Sequence, residues 1–349
     1  MPIYEFGYRH WNGTLRPWWL RWFPITRTGF ELAWQGRMLR RVLFLAWMPL
    51  LYFGAAFFAL GKMTEPGTDG GPRSNSIVPS FAMPPGPHGR PPVPPDALET
   101  IGYGMLGLPI GPKLREDPRA VRAAAWSWSF YQYMRLPQLS MLFLVVTLVG
   151  PPLISQDVRS KSFLVYFSKP ITRWDYLAGK AGVVLAFAFL VTLAPALVLY
   201  VISIGFSPSL GALVDTGWTV VRIFASFAVT VVPATLVVLF YSSLTREPRF
   251  ATFAWVSTCI LGELFYWVLQ AIESWRGSPW VFLVSPRQIA QVAMAAIFDV
   301  RGQFEALSGN PLAAPATHDS ETAALVALAA ISAVCLVGIM RQVTAPLRV

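Results

Sequence analysis

Apolar residues along this chain fall in long unbroken blocks, separated by short charged stretches or by runs of proline and glycine. The first block, residues 42–61, has no charged side chain. At roughly 1.5 Å per residue it rises about 30 Å, the thickness of one hydrocarbon core. Pro49 in its middle predicts a kink, which a membrane tolerates where neighbouring helices re-satisfy the backbone. The second block, 139–154, is short for a span. It is expected to borrow residues before Pro137 or to thin the bilayer, and Pro151-Pro152 end it or bend it. The third block is 181–206 with Pro195, the fourth 218–244 with Pro233, the fifth 250–272 and the sixth 323–340. Between the last two, 280–284 and 289–298 are each too short to cross, and Pro279, Pro286, Arg287 and Asp299 bracket them. That pattern predicts an interfacial or re-entrant hairpin. The reading is an all-α membrane protein with six transmembrane helices.

The connections divide the chain further. Residues 1–41 form an N-terminal segment, and its lack of a short apolar core with a small-residue cleavage site predicts that the first block is an uncleaved signal anchor. Residues 62–136 read as an external loop, because Met83-Pro84-Pro85-Gly86-Pro87 and Pro91-Pro92-Val93-Pro94-Pro95 cannot hold a helix. Within 62–100 the bland reading is a flexible linker, the alternative a docking surface for an extracytoplasmic accessory protein. Trp126, Trp128, Phe130, Tyr131 and Tyr133 are expected at the membrane interface. Residues 137–154 then form the second helix, 155–180 a cytoplasmic connection, 181–272 the third to fifth helices, 273–322 the external hairpin, and 323–349 the last helix and tail.

Composition agrees with the pattern. The 349 residues are 54% hydrophobic and 13% charged, against about 25% charged in an ordinary soluble domain. The net charge of +10 does not point to nucleic acid, because the basic residues flank apolar blocks, where they meet lipid headgroups. They also set an orientation. Arg9, Arg16, Arg21, Arg27, Arg37, Arg40 and Arg41, the basic residues of 155–180, Arg246 with Arg249, and Arg341 with Arg348 all fall on one side of a six-helix chain. The opposite loop, 207–217, has none. Both termini are therefore expected in the cytoplasm. Cys259 and Cys335 lie inside apolar blocks, and His10, His88 and His318 are far apart, so neither a metal site nor a disulfide framework is suggested.

The most informative segment is 155–180. Asp157 reads as an early residue of a short helix, favourable near a helix N-terminus. Phe163, Tyr166 and Phe167 give that helix an apolar face, and Pro170 stops it. Thr172-Arg173-Trp174-Asp175 matches a capping box that starts the helix leading into the third span. A charged elbow of this kind can receive force from a soluble partner.

This string resembles the signature of ABC transporter permeases of the type-2 exporter class. Asp157, Ser168-Lys169-Pro170-Ile171-Thr172-Arg173, Tyr176 and Gly179-Lys180 match it position by position. The resemblance implies that Asp157, Arg159, Phe163, Tyr166, Lys169, Pro170, Thr172, Arg173, Asp175, Tyr176, Gly179 and Lys180 belong to a coupling segment that docks on an ATPase subunit. Phe30, Trp34 and Met38 form an apolar stripe similar to the amphipathic connecting helix of that class. The hairpin at 279–305 resembles its external re-entrant helices, and Tyr4-Glu5-Phe6-Gly7-Tyr8-Arg9 resembles the leader of one bacterial branch. The long Pro-rich loop departs from the simplest permeases.

No Gly-x-x-x-x-Gly-Lys-[Ser/Thr] string occurs, so the chain is not expected to bind ATP by a P-loop; neither a cofactor nor catalytic residues are expected on it. ATP and magnesium would be bound by a separate ATPase subunit. The resemblance implies two permease chains, as a homodimer. Two other readings stay open: a non-transporting membrane scaffold that anchors an extracytoplasmic complex, and an ion-coupled secondary transporter. Arg222 and Glu263 are ionisable residues inside apolar blocks. They are expected to pair with each other, to line a substrate path through Glu263, or to snorkel.

Overall fold

Polar groups along an apolar helix must be satisfied within the protein if lipid surrounds it, and this chain does so largely turn by turn. Hydroxyls of Ser129, Thr147, Thr192, Ser203, Thr258 and Ser332 donate to the carbonyl four residues earlier at 2.6–2.9 Å. The computed structural model describes residues 20–63, 118–162, 166, 171–206, 211–275, 278–302 and 318–344. Among them every regular element is helical. Six helices are long and apolar enough to span a membrane: Arg37–Phe58, Ala123–Arg159, Arg173–Gly205, Trp218–Leu244, Pro248–Ala271 and Ser320–Val343, called here spans one to six.

The outside of this bundle is apolar. Phe44, Leu51, Val201, Val221, Phe253, Leu264, Val326 and Val334 are all exposed, a surface that suits lipid and not water. The fifth span is the least covered of the six and the third the most.

The second span starts well before Pro137, as the short block requires. Helix Pro118–Tyr133 continues through a π turn at Met134–Gln138 into Leu139–Val149. Proline removes one backbone donor and crowds the carbonyl four residues back, and the wider turn absorbs that conflict. A second π turn, Phe189–Leu193, precedes Pro195 in the third span. The external-loop assignment of 62–136 therefore ends too late, because Ala123–Tyr133 belongs to the span. Its aromatic cluster is buried among the helices. Trp126 meets Phe57 at 5.2 Å and Tyr200 at 5.9 Å, and Tyr133 meets Phe53 at 5.1 Å. Together with Phe130 and Phe298 these rings form one cluster of the core. A second cluster, around Leu142, Val146, Tyr176, Phe187 and Leu239, fills the opposite end of the bundle, and a third gathers Phe282, Ile289, Ala293, Ala324 and Leu328.

At Gly150-Pro151-Pro152 the second span turns without ending. Ser242 of the fourth span accepts from the amides of Ile154 and Ser155, both at 3.0 Å, and donates to the Pro151 carbonyl at 2.6 Å. One hydroxyl thus satisfies two of the amides left open in the first turn of helix Pro152–Arg159, and the Pro151 carbonyl before it.

Between the fifth and sixth spans lie a short 3-10 turn, Val281–Val284, and helix Pro286–Ile297. The latter, about 18 Å long by its rise, is too short to cross and buries Ile289, Ala293 and Met294 against the spans around it. The N-terminal leader, residues 64–117, residues 303–317 and the tail after 344 lie outside the described residues.

Candidate functional site: a buried ion pair between the second and third spans

The end of the second span and the start of the third meet through Asp157. Its Oδ2 accepts from the Lys180 ammonium at 2.7 Å and from the Tyr176 hydroxyl at 2.8 Å. All three side chains are buried. Tyr166 closes the cluster, its ring 5.5 Å from that of Tyr176. The Lys180 ammonium stands 5.7 Å from the Tyr166 ring centre and 5.6 Å from that of Tyr176. A buried ammonium needs such compensation: a carboxylate at contact distance and two aromatic faces. Burial pushes the Tyr166 phenol above its ordinary pKa, and the neighbouring Asp157 carboxylate adds to that shift.

Asp157 does not lie at a helix N-terminus. It sits in the last turn of Pro152–Arg159, where the helix dipole disfavours an anion. Its charge is held by Lys180 and Tyr176. The turn that follows is strained at one residue. The Ser162 amide donates back to the Asp157 carbonyl at 3.0 Å, and Lys161 adopts φ 54°. This is the Schellman arrangement, with lysine in the left-handed position that glycine usually fills.

The capping box at the start of the third span is present. The Asp175 amide donates to the Thr172 hydroxyl at 3.2 Å, and the Thr172 amide donates to the Asp175 carboxylate at 2.9 Å. Arg173 and Trp174 in that first turn are exposed. Arg159 is exposed as well and lies 3.5 Å from Glu247 in the turn between the fourth and fifth spans. That contact places both connections at the same end of the bundle. Phe163, Phe167, Ser168, Lys169 and Pro170 lie outside the described residues.

The N-terminal helix Phe23–Trp34 packs along the third span at the same end. Glycines permit the close approach. A methyl on Gly179 would meet Ile25 at 2.7 Å and the Trp22 carbonyl at 3.1 Å, and one on Gly29 would meet Val183 at 2.6 Å. The Thr26 hydroxyl donates to the Gly179 carbonyl at 2.9 Å across the contact. Small residues and interhelical hydrogen bonds hold helices together where lipid removes the hydrophobic drive. Phe30 stacks on Phe187 at 4.4 Å, and Trp34 stacks on Phe30 at 5.6 Å. Met38 does not extend that stripe. The helix breaks at Gln35-Gly36, and Met38 sits in the first turn of the next helix, exposed.

Arg222 and Glu263 do not pair. Arg222 donates to the Ser127 hydroxyl at 2.6 Å and to the Phe298 carbonyl at 3.1 Å, bracing the fourth span against the second and against the end of helix Pro286–Ile297. Glu263 accepts from Ser285 at 2.8 Å, Gln288 at 2.9 Å and Trp267 at 3.2 Å. Arg222 is satisfied by neutral groups on other elements, and Glu263 by neutral groups on its own span and on helix Pro286–Ile297, with Arg287 at 4.0 Å; sequence spacing does not reveal the long-range partners. Ser242, Ser285 and Gln288 carried no signal either, being isolated polar residues in or beside apolar stretches. Among the described residues no group of His, Cys, Asp and Glu side chains converges to hold a metal ion. No family model and no curated protein matches this chain.

Proposed function

We propose that the chain is the membrane subunit of an ATP-driven ABC transporter of the type-2 exporter class, resident in the inner membrane with both termini cytoplasmic. A separate ATPase subunit supplies ATP hydrolysis with magnesium, and a second permease chain completes the pore. The observation that carries this reading is the Asp157–Lys180–Tyr176 contact. It ties the foot of the second span to the foot of the third, across the connection that joins them in sequence. A push on that connection reaches both spans together, because the buried ion pair stops either foot from yielding alone. The exposed Arg173 and Trp174 beside it offer a surface for the partner. The Phe30–Phe187 stack adds the N-terminal helix to the same moving part.

The test is co-expression with the ATPase encoded nearest to this chain, followed by purification and an ATPase assay in lipid. Co-purification is expected, and Tyr166→Ala with Arg173→Glu should lower the ATPase rate without loss of the membrane subunit. Failure to co-purify, or a rate unmoved by those substitutions, would sink the proposal.

A further inference from the structure

A cavity of about 670 Å³ opens among the second, fourth, fifth and sixth spans and helix Pro286–Ile297. Its size falls within the roughly 300–1,000 Å³ of sites that hold small organic ligands. On the fifth span its wall runs from Trp255 to Trp267, about 18 Å along a helix axis. Phe143, Val237 and Leu328 on the other helices keep the lining largely apolar. The polar groups within it are unequal. Tyr241 and Thr258 satisfy each other at 2.8 Å. Glu263 already receives Ser285, Gln288 and Trp267. Arg287 is different. Its guanidinium stands in a long ion pair with Glu263 at 4.0 Å, its side chain is 40% exposed, and it donates no hydrogen bond among the described residues. A planar guanidinium with open N–H donors fits a carboxylate or phosphate.

We propose that this slot binds an amphiphile with an anionic head, the head taken by Arg287 and one acyl chain laid along the apolar wall towards Trp255. Arg287 lies beside Glu263, and both line the cavity with Trp267 towards the end of the fifth span that lies away from Asp157, while the apolar wall runs back towards the middle of the bundle. That is the arrangement of a lipid in its leaflet, head outward and chain inward. The site lies within one chain, so the inference goes beyond the transport reading and does not depend on an ATPase.

The experiment uses the full chain in phosphatidylcholine nanodiscs, with tryptophan fluorescence quenched by dibromo-octadecanoate or by its methyl ester. Saturable quenching by the acid is expected, with weak, non-saturating quenching by the ester. Arg287→Gln should weaken the acid about tenfold or more and leave the ester unchanged. Ala234→Phe, which fills the slot from the fourth span, should abolish saturable quenching. Equal behaviour of acid and ester on the unaltered protein overturns the proposal, whatever the variants do. So does full acid binding by either variant. Adding phosphatidylglycerol to the disc separates two sources of the same chemistry. Displacement of the acid identifies a bilayer lipid as the occupant, and undisturbed acid binding identifies a free amphiphile; each supports the site.

Discussion

Lys180 is the residue on which the foot of the third span depends. Removing one member of a buried ion pair leaves the other charge uncompensated and costs about 3–5 kcal/mol, whereas removing both is often close to neutral. Lys180→Met and Asp157→Asn should therefore each lower the unfolding midpoint of the detergent-solubilised protein. The double variant should recover most of the loss, as a double-mutant cycle in thermal melts would show. Additive losses would mean that the contact at 2.7 Å contributes nothing. Lys161 offers the opposite sign. A non-glycine residue in the left-handed region costs roughly 1–2 kcal/mol, so Lys161→Gly should raise the melting midpoint. An ATPase-coupled rate that falls while stability rises would show that the strained turn serves the coupling step.

At the scale of elements, the glycine contact between the N-terminal helix and the third span decides whether that helix stays docked. Gly179→Ala has to push back Ile25 and the Trp22 carbonyl. Faster tryptic cleavage at Arg27 is expected, with the spans still inserted. Gly205→Ala, where nothing lies within 4 Å, should cleave as the unaltered protein does. The spans themselves were readable because an uncharged block of the right length has few alternatives in a chain this apolar. The fourth, Trp218–Leu244, begins and ends where the block does, and the capping box at Thr172 was equally legible because its signal is local. What failed was rotation about the helix axis and partner choice. Nothing in the string around Trp126 says that its ring faces Phe57 and not a headgroup. Nothing around Glu263 says that Gln288 will reach it before Arg222 does. Both depend on how helices far apart in sequence are turned towards one another. The place of Asp157 failed for a different reason, since the second span continues past two prolines that usually signal an end.

For the whole molecule, alternation of six spans puts residue 214 and residue 246 on opposite faces of the membrane. Val214 is exposed between the third and fourth spans, and Arg246 lies in the turn between the fourth and fifth. With Cys259 and Cys335 replaced by alanine, single cysteines at these positions should react with a membrane-impermeant maleimide from opposite sides, position 246 from the cytoplasm. Reaction from the same side would rule out this topology. The ion pair also bears on how the protein is made. Its two halves leave the ribosome in order, aspartate first. At roughly 5–20 residues per second the lysine follows within roughly one to five seconds. Until then the second span carries an unanswered carboxylate at its end. Membrane entry of the third span brings an ammonium that is costly in lipid by itself but is neutralised by the helix already waiting. The second and third spans are therefore expected to enter the bilayer as one hairpin, and a ribosome arrested between them should leave the second span poorly anchored.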